Sequence, residues 1–103
     1  MRITDVASAW VKGQKARTRS LVTKDGKVWS YNLLIAKTAD DGTLVIYDYT
    51  NSAGNYISQS TTYHVSSIIR AAYFEAASGQ KVVITRKVPY RRNRNIDRET
   101  VVQ

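Results

Sequence analysis

The sequence of 103 residues predicts an α+β fold: an N-terminal helix, an antiparallel meander sheet of about four to five strands, and one long helix packed on one face. Two observations predict this class. Stretches with alternating apolar residues are separated by short turns rich in Asp, Asn and Gly, which is typical of antiparallel hairpins. Two other stretches place their apolar residues at helical spacing. We therefore expect a single domain over residues 1–89.

The first helix is predicted over residues 3–12. Val6 and Trp10 fall at helical spacing, Thr4 is a candidate N-cap and Gly13 is a candidate stop. The chain therefore begins with one short amphipathic helix.

Residues 14–20 alternate basic with small side chains, which predicts a strand with one cationic face. Lys15, Arg17 and Arg19 would project from that face about 6.6 Å apart, near the phosphate repeat of an extended nucleic-acid strand. The alternative is an edge strand whose cations only block sheet-to-sheet aggregation.

Turns are predicted at Asp25-Gly26, at Asp40-Asp41-Gly42 and over residues 51–55. The strands between and after them are predicted over residues 28–36, 43–49 and 56–58. This arrangement is a meander.

The long helix is predicted from about Tyr63 to Ala77, with N-cap candidates at Ser60, Thr61 and Thr62. A last strand is predicted over residues 81–88, before Pro89 stops it or confines it to an edge.

Alternation places Trp29, Tyr31, Leu33 and Ile35 on one face of a single strand. The uncovered face of the sheet is expected to show Tyr47, Tyr49 or the row from Lys15 to Arg19. The predicted core is Trp29, Leu33, Ile35, Val65, Ile68, Ile69 and Ala72.

Positive charge concentrates at the two ends of the chain. Residues 1–20 carry a net charge of +4 and residues 81–103 carry +5, whereas residues 21–80 carry −1. Residues 90–103 have little core-forming content and are predicted to be a basic, mobile tail. Its Tyr, Asn and Arg side chains suit stacking on bases and gripping phosphates. The predicted nucleic-acid contacts are Lys15, Arg17, Arg19, Lys87, Tyr90, Arg91, Arg92 and Arg94.

The sequence gives no positive indication of an enzyme. It has no cysteine and a single histidine, His64, for which a partly buried or capping role is favoured over a general base or metal ligand. The Asp40-Asp41 pair is interpreted as a turn rather than a metal site, and no phosphate loop, dinucleotide fingerprint or nucleophile elbow occurs. We expect no cofactor and no metal.

The N-terminus lacks the apolar run of a signal peptide, and no stretch is long enough to span a bilayer, so a cytoplasmic protein without membrane contact is expected.

Three short motifs mark the middle of the chain: Gly26-Lys27-Val28-Trp29-Ser30-Tyr31, then Ile35-Ala36, then Ser58-Gln59-Ser60-Thr61-Thr62-Tyr63-His64. With these motifs the chain resembles a family of small uncharacterised phage proteins. In this chain the histidine follows Thr-Thr after one residue, whereas the family pattern has two. The resemblance covers roughly residues 4–70 and implies a phage or prophage origin and a compact α+β domain. It supplies no activity.

Two functions of different classes remain open at this point. The first is a small phage-type protein that binds DNA or RNA electrostatically with little sequence specificity. The second is a phage-encoded effector that binds an acidic host protein through its basic surface and inhibits it. The sequence leaves open whether the chain forms a homodimer.

Overall fold

The computed structural model describes residues 2–89 and confirms the α+β class, with two helices on one face of a six-stranded sheet. The elements are α1 (Ile3–Val11), β1 (Ala16–Arg17), β2 (Leu21–Lys24), β3 (Lys27–Ser30), β4 (Leu33–Thr38), β5 (Leu44–Tyr47), α2 (Gln59–Glu75) and β6 (Val82–Thr85). The strands lie side by side in chain order. Pairs from β1 to β5 are antiparallel. Strand β6 instead runs parallel to β5, because α2 connects the two strands as a crossover.

The core lies between the sheet and the helices. Helix α1 packs on α2, β1 and β2, and α2 packs on β5 and β6. Of the predicted core residues, Ile35, Val65, Ile68 and Ala72 are fully buried, and Leu33 and Ile69 pack at the margin. The prediction that Trp29 belongs to the core is wrong, because this side chain is half-buried on the face away from the helices. The core tryptophan is Trp10, which is 1% exposed.

The predicted strand over residues 28–36 is wrong, since two strands occupy this stretch. Tyr31 and Asn32 form a tight turn between β3 and β4, with Ser30 opposite Leu33. A bulge then shifts the register, pairing Val28 with Ala36 but Trp29 with Leu34, so that Ile35 is the extra residue. The turn and the bulge break the simple alternation, and Trp29 and Ile35 therefore face opposite sides of the sheet.

Other predicted bounds also change. Strand β1 has two residues, not seven. Residues 56–58 form no strand, because Ser58 is the N-cap of α2 and its Oγ accepts a hydrogen bond from the Thr61 amide at 3.1 Å. Helix α2 consequently starts four residues before the predicted Tyr63. Arg2, not Thr4, caps α1, and its backbone amide donates to Asp5 at 2.9 Å.

The predicted hairpin turns at Asp25-Gly26 and Asp40-Asp41-Gly42 are confirmed. Asp25 and Gly26 both adopt positive φ, at 54° and 77°, which a two-residue turn between twisted strands requires. Lys24 is thereby placed directly opposite Lys27.

Candidate nucleic-acid interface

Both helices pack on one face of the sheet, and the strand side chains on the opposite face are exposed or half-buried. Cross-strand pairing aligns Arg17, Val22, Trp29 and Leu34 in one row across β1 to β4. Their neighbours along the strands point to the core, so these four side chains point outward. Tyr47 lies half-exposed on this face, as the sequence predicted. We call this surface the outer face.

A second row on the outer face consists of lysines. Lys24 pairs with Lys27 across β2 and β3, and Lys27 pairs with Lys37 across β3 and β4. All three lysines are exposed. Like charges directly opposite one another on a sheet repel and destabilise it. No outward position of the six described strands holds an acidic residue that would offset this repulsion. The row therefore concentrates positive charge on one surface.

Two hollows on the outer face share Val22. One has a volume of about 320 Å³ and is lined by Val22, Trp29, Tyr31 and Asn32. The other has a volume of about 450 Å³, and the cations at its edge are Lys15, Arg17 and Lys24. An aromatic hollow thus adjoins a cationic hollow, and Val22 lines both.

Tyr31 holds an unusual conformation at the end of the aromatic hollow. Its φ is 56°, which is rare for a bulky residue. Its amide donates to the Ser20 carbonyl at 2.7 Å, and its side chain is 57% exposed. A positive φ is what the first residue of the two-residue turn between β3 and β4 requires, and the Tyr31 ring also lies near the His64 ring, with the ring centroids 5.9 Å apart.

His64 lies behind this region in a buried hydrogen-bond network. Its Nδ1 is 2.7 Å from Ser30 Oγ and its Nε2 is 3.2 Å from Ser20 Oγ. Ser30 Oγ is also 3.2 Å from Thr61 Oγ1. The network joins α2 to the start of β2 and the end of β3. Burial lowers the pKa of His64 below its usual value, because desolvation disfavours the charged imidazolium.

The buried position agrees with the predicted structural role of this histidine. His64 is 3% exposed, and serine hydroxyls engage both ring nitrogens. Within residues 2–89, no cluster of three His, Asp or Glu side chains is placed to hold a metal ion. Asp41 accepts a hydrogen bond from the Thr43 amide at 2.9 Å, which lowers the pKa of its carboxyl and makes it part of the β4–β5 turn.

The predicted contact residues do not all come together. Lys15 and Arg17 line the cationic hollow. Arg19 is exposed but lies in the bend after β1, so the predicted continuous row from residue 15 to residue 19 is wrong. Lys87 is exposed beyond the end of β6. Tyr90, Arg91, Arg92 and Arg94 lie outside the described residues.

Sequence reasoning missed the lysine row and the outward position of Trp29. The Lys24–Lys27 pairing could have been found, since a two-residue Asp-Gly turn places its flanking residues opposite each other. Lys37 could not, because its position depends on the second turn and the bulge. The facing of Trp29 could not either, because it depends on which side of the sheet the helices cover. Tyr49 was predicted on the uncovered face but is fully buried. It lies past the end of β5, where its amide bonds the Tyr47 carbonyl and the chain turns inward.

Comparisons with protein-family models, with curated proteins and with solved structures find no significant match to this chain. Neither helix within residues 2–89 has the length and apolar content to cross a membrane.

Proposed function

We propose that this chain is a small phage-type protein that binds nucleic acid through the outer face with little sequence specificity. The observation that carries the proposal is the lysine row, in which Lys24, Lys27 and Lys37 lie in direct cross-strand register. A polyanion that neutralises the row relieves its repulsion and gains the entropy of counterion release.

The arrangement of the face supports low specificity. Lysine contacts phosphate as a point charge and does not read base sequence. Aromatic rings stack on any base because every base has a π-face. The effector alternative would use the same cations against an acidic protein, but the half-exposed Trp29, on the same face as the lysine row, favours a ligand that has rings as well as negative charge.

The experiment is a gel shift of the full chain against single- and double-stranded DNA and RNA of random sequence at low salt. Lys27→Glu is the test variant, and Arg70→Glu is the matched control. Both substitutions change the net charge by two units, but Arg70 is exposed on α2, on the helical side of the molecule.

We expect Lys27→Glu to lower the affinity at least about tenfold, because an attractive phosphate contact becomes repulsive. The Arg70→Glu variant should stay within a few-fold of the parent. Equal losses in both variants would show that only net charge matters and would refute the outer face as the site. Absence of binding by the parent protein to every nucleic acid would overturn the proposal and favour the effector.

A further inference from the structure

We infer that the ligand is single-stranded nucleic acid and that one unpaired base stacks in the aromatic hollow formed by Trp29 and Tyr31. This inference rests on the proposed function and deepens it. The two hollows that share Val22 carry it, since they place aromatic rings next to cations on one surface, as a base and a backbone phosphate of one strand require.

The dimensions fit this assignment. The hollow of about 320 Å³ is at the small end of the range for ligand sites in proteins. Neighbouring strands are about 4.8 Å apart, so Arg17 lies about 10 Å from Trp29, with Val22 between them. A base over the Trp29 ring leaves its phosphate within reach of the Arg17 guanidinium, which binds phosphate bidentately.

The exposure of the Tyr31 ring beside Trp29 supports a role in binding. The two-residue turn between β3 and β4 requires a positive φ at its first position, and Tyr31 holds that position at 56° although a bulky residue does so at a cost in stability. Asn or Gly would adopt this conformation more readily. The ring that the strained backbone presents is more than half exposed and adjoins the Trp29 hollow.

The neighbouring Asn32 adds hydrogen-bonding capacity. Asn32 is exposed and lines the same hollow, and its side-chain amide offers both donors and an acceptor. An unpaired base has its Watson–Crick edge free for such contacts. In a duplex the bases are paired and stacked, so rings on an open sheet face cannot reach their π-surfaces. The hollow therefore selects single strands.

The test compares Tyr31→Asn with Tyr31→Phe in the full chain, using oligo(dT), oligo(U) and a DNA duplex of equal length as probes. Asn suits the positive φ and removes the ring, whereas Phe retains it. Tyr73→Asn is the control, because Tyr73 is a similarly exposed tyrosine (63%) on the helical side. Circular dichroism verifies that each variant is folded.

We expect single strands to bind more tightly than the duplex. The Tyr31→Asn variant should lose at least about fivefold in single-strand affinity, the lower limit for one stacked base. Tyr31→Phe and Tyr73→Asn should stay within about twofold. Oligo(dT) and oligo(U) distinguish DNA from RNA, and a preference for either one supports the inference.

Tryptophan fluorescence provides a second readout. Stacking of a base on Trp29 quenches its emission, whereas Trp10 is buried and inaccessible. Oligo(dT) should quench the parent but not Trp29→Phe, while the affinity of that variant is retained because Phe still stacks.

Equal or tighter binding of the duplex, or an unchanged affinity of Tyr31→Asn, would overturn this inference. If Lys27→Glu still weakened binding in such an experiment, the proposed function would remain supported although the inference had failed. Absence of any nucleic-acid binding by the parent would overturn both.

Discussion

Ser30 Oγ lies 2.7 Å from Nδ1 of His64, and this contact joins the end of β3 to the first turns of α2. The second ring nitrogen reaches Ser20 Oγ at 3.2 Å, so one buried imidazole connects three parts of the chain. A neutral imidazole suits this position, since one nitrogen accepts a hydrogen bond while the other donates. The hairpin that presents Trp29 and Tyr31 is thus held against α2 by a group that titrates.

Stability should fall on mild acidification because of this histidine. The pKa of His64 is lowered in the folded protein, so the unfolded chain, with a histidine pKa of about 6.5, binds the proton first. The stabilisation is present above about pH 6.5 and is lost as the pH falls towards the folded pKa, by at most about 1.4 kcal/mol per pH unit. Urea unfolding at several pH values between 5 and 7.5 measures the change in the free energy of unfolding. This range lies above the pH at which most carboxylates titrate.

The control for that measurement is His64→Gln. This variant should lose the pH-dependent component and should cost about 1–2 kcal/mol of stability at pH 7.5, the range for one or two missing hydrogen bonds. Nucleic-acid affinity should stay within a few-fold. A folded His64→Gln protein that has lost a biological activity would instead support a chemical role for the histidine.

Truncation of the two tryptophans should reduce the stability by very different amounts. Trp10 is 1% exposed and its indole Nε1–H donates to the Gly26 carbonyl at 3.2 Å. Trp10→Ala should therefore cost about 3–5 kcal/mol, the usual cost for a buried aromatic. Trp29→Ala should cost only about 1–2 kcal/mol, because the side chain is half-buried on the outer face. Denaturant unfolding gives both values, and a larger cost at Trp29 would contradict the assigned faces.

Lys27→Glu should stabilise the fold while it weakens binding. Lys27 lies between Lys24 and Lys37, so the substitution converts two repulsive cross-strand pairs into attractive ones. Each pair is worth about 0.2–1 kcal/mol. The gain should be largest at low salt and shrink in 1 M NaCl. Lys27→Gln, which only removes the repulsion, should give a smaller gain. A less stable Lys27→Glu protein would show that the lysine side chains avoid one another.

Arg17 and Arg19 should contribute differently to nucleic-acid affinity, although the alternation in the sequence predicts the same role for both. Arg17 lines the cationic hollow, whereas Arg19 lies in the bend that follows β1. Arg17→Glu should lower nucleic-acid affinity about tenfold or more at low salt, and Arg19→Glu should have a clearly smaller effect. Fluorescence anisotropy with a labelled single strand measures both. Equal effects would mean that the bend, as well as the hollow, contacts the ligand.

The basic C-terminal segment, which lies outside the described residues, has its own test. Changing Arg91, Arg92 and Arg94 together to Ala should lower the affinity. It should also reduce the salt slope by about 0.7 for each phosphate of a single strand that the variant no longer neutralises. Titrations at several salt concentrations give the slope. An unchanged affinity and slope would exclude these arginines from the interface.

Local features of this protein could be predicted from the amino-acid sequence alone. The Asp25-Gly26 turn follows from two residues that accept positive φ, and α1 and α2 follow from apolar residues at helical spacing, since such patterns depend on near neighbours in the chain. The buried position of His64 was also predicted, and the structure confirms it.

The set of side chains that share the outer face could be established only from the packed strands. Side chains alternate between the two faces of a strand. The turn at Tyr31 and the bulge at Ile35 each interrupt this alternation, so that the residues after them lie on the opposite face from the one the alternation predicts. Both features depend on the pairing of β3 with β4. The alignment of Lys37 with Lys27 arises from the same pairing. The parallel addition of β6 likewise depends on α2 crossing the sheet. A candidate interface assembled across four strands is a property of register, and register is set by contacts between strands rather than by any one segment.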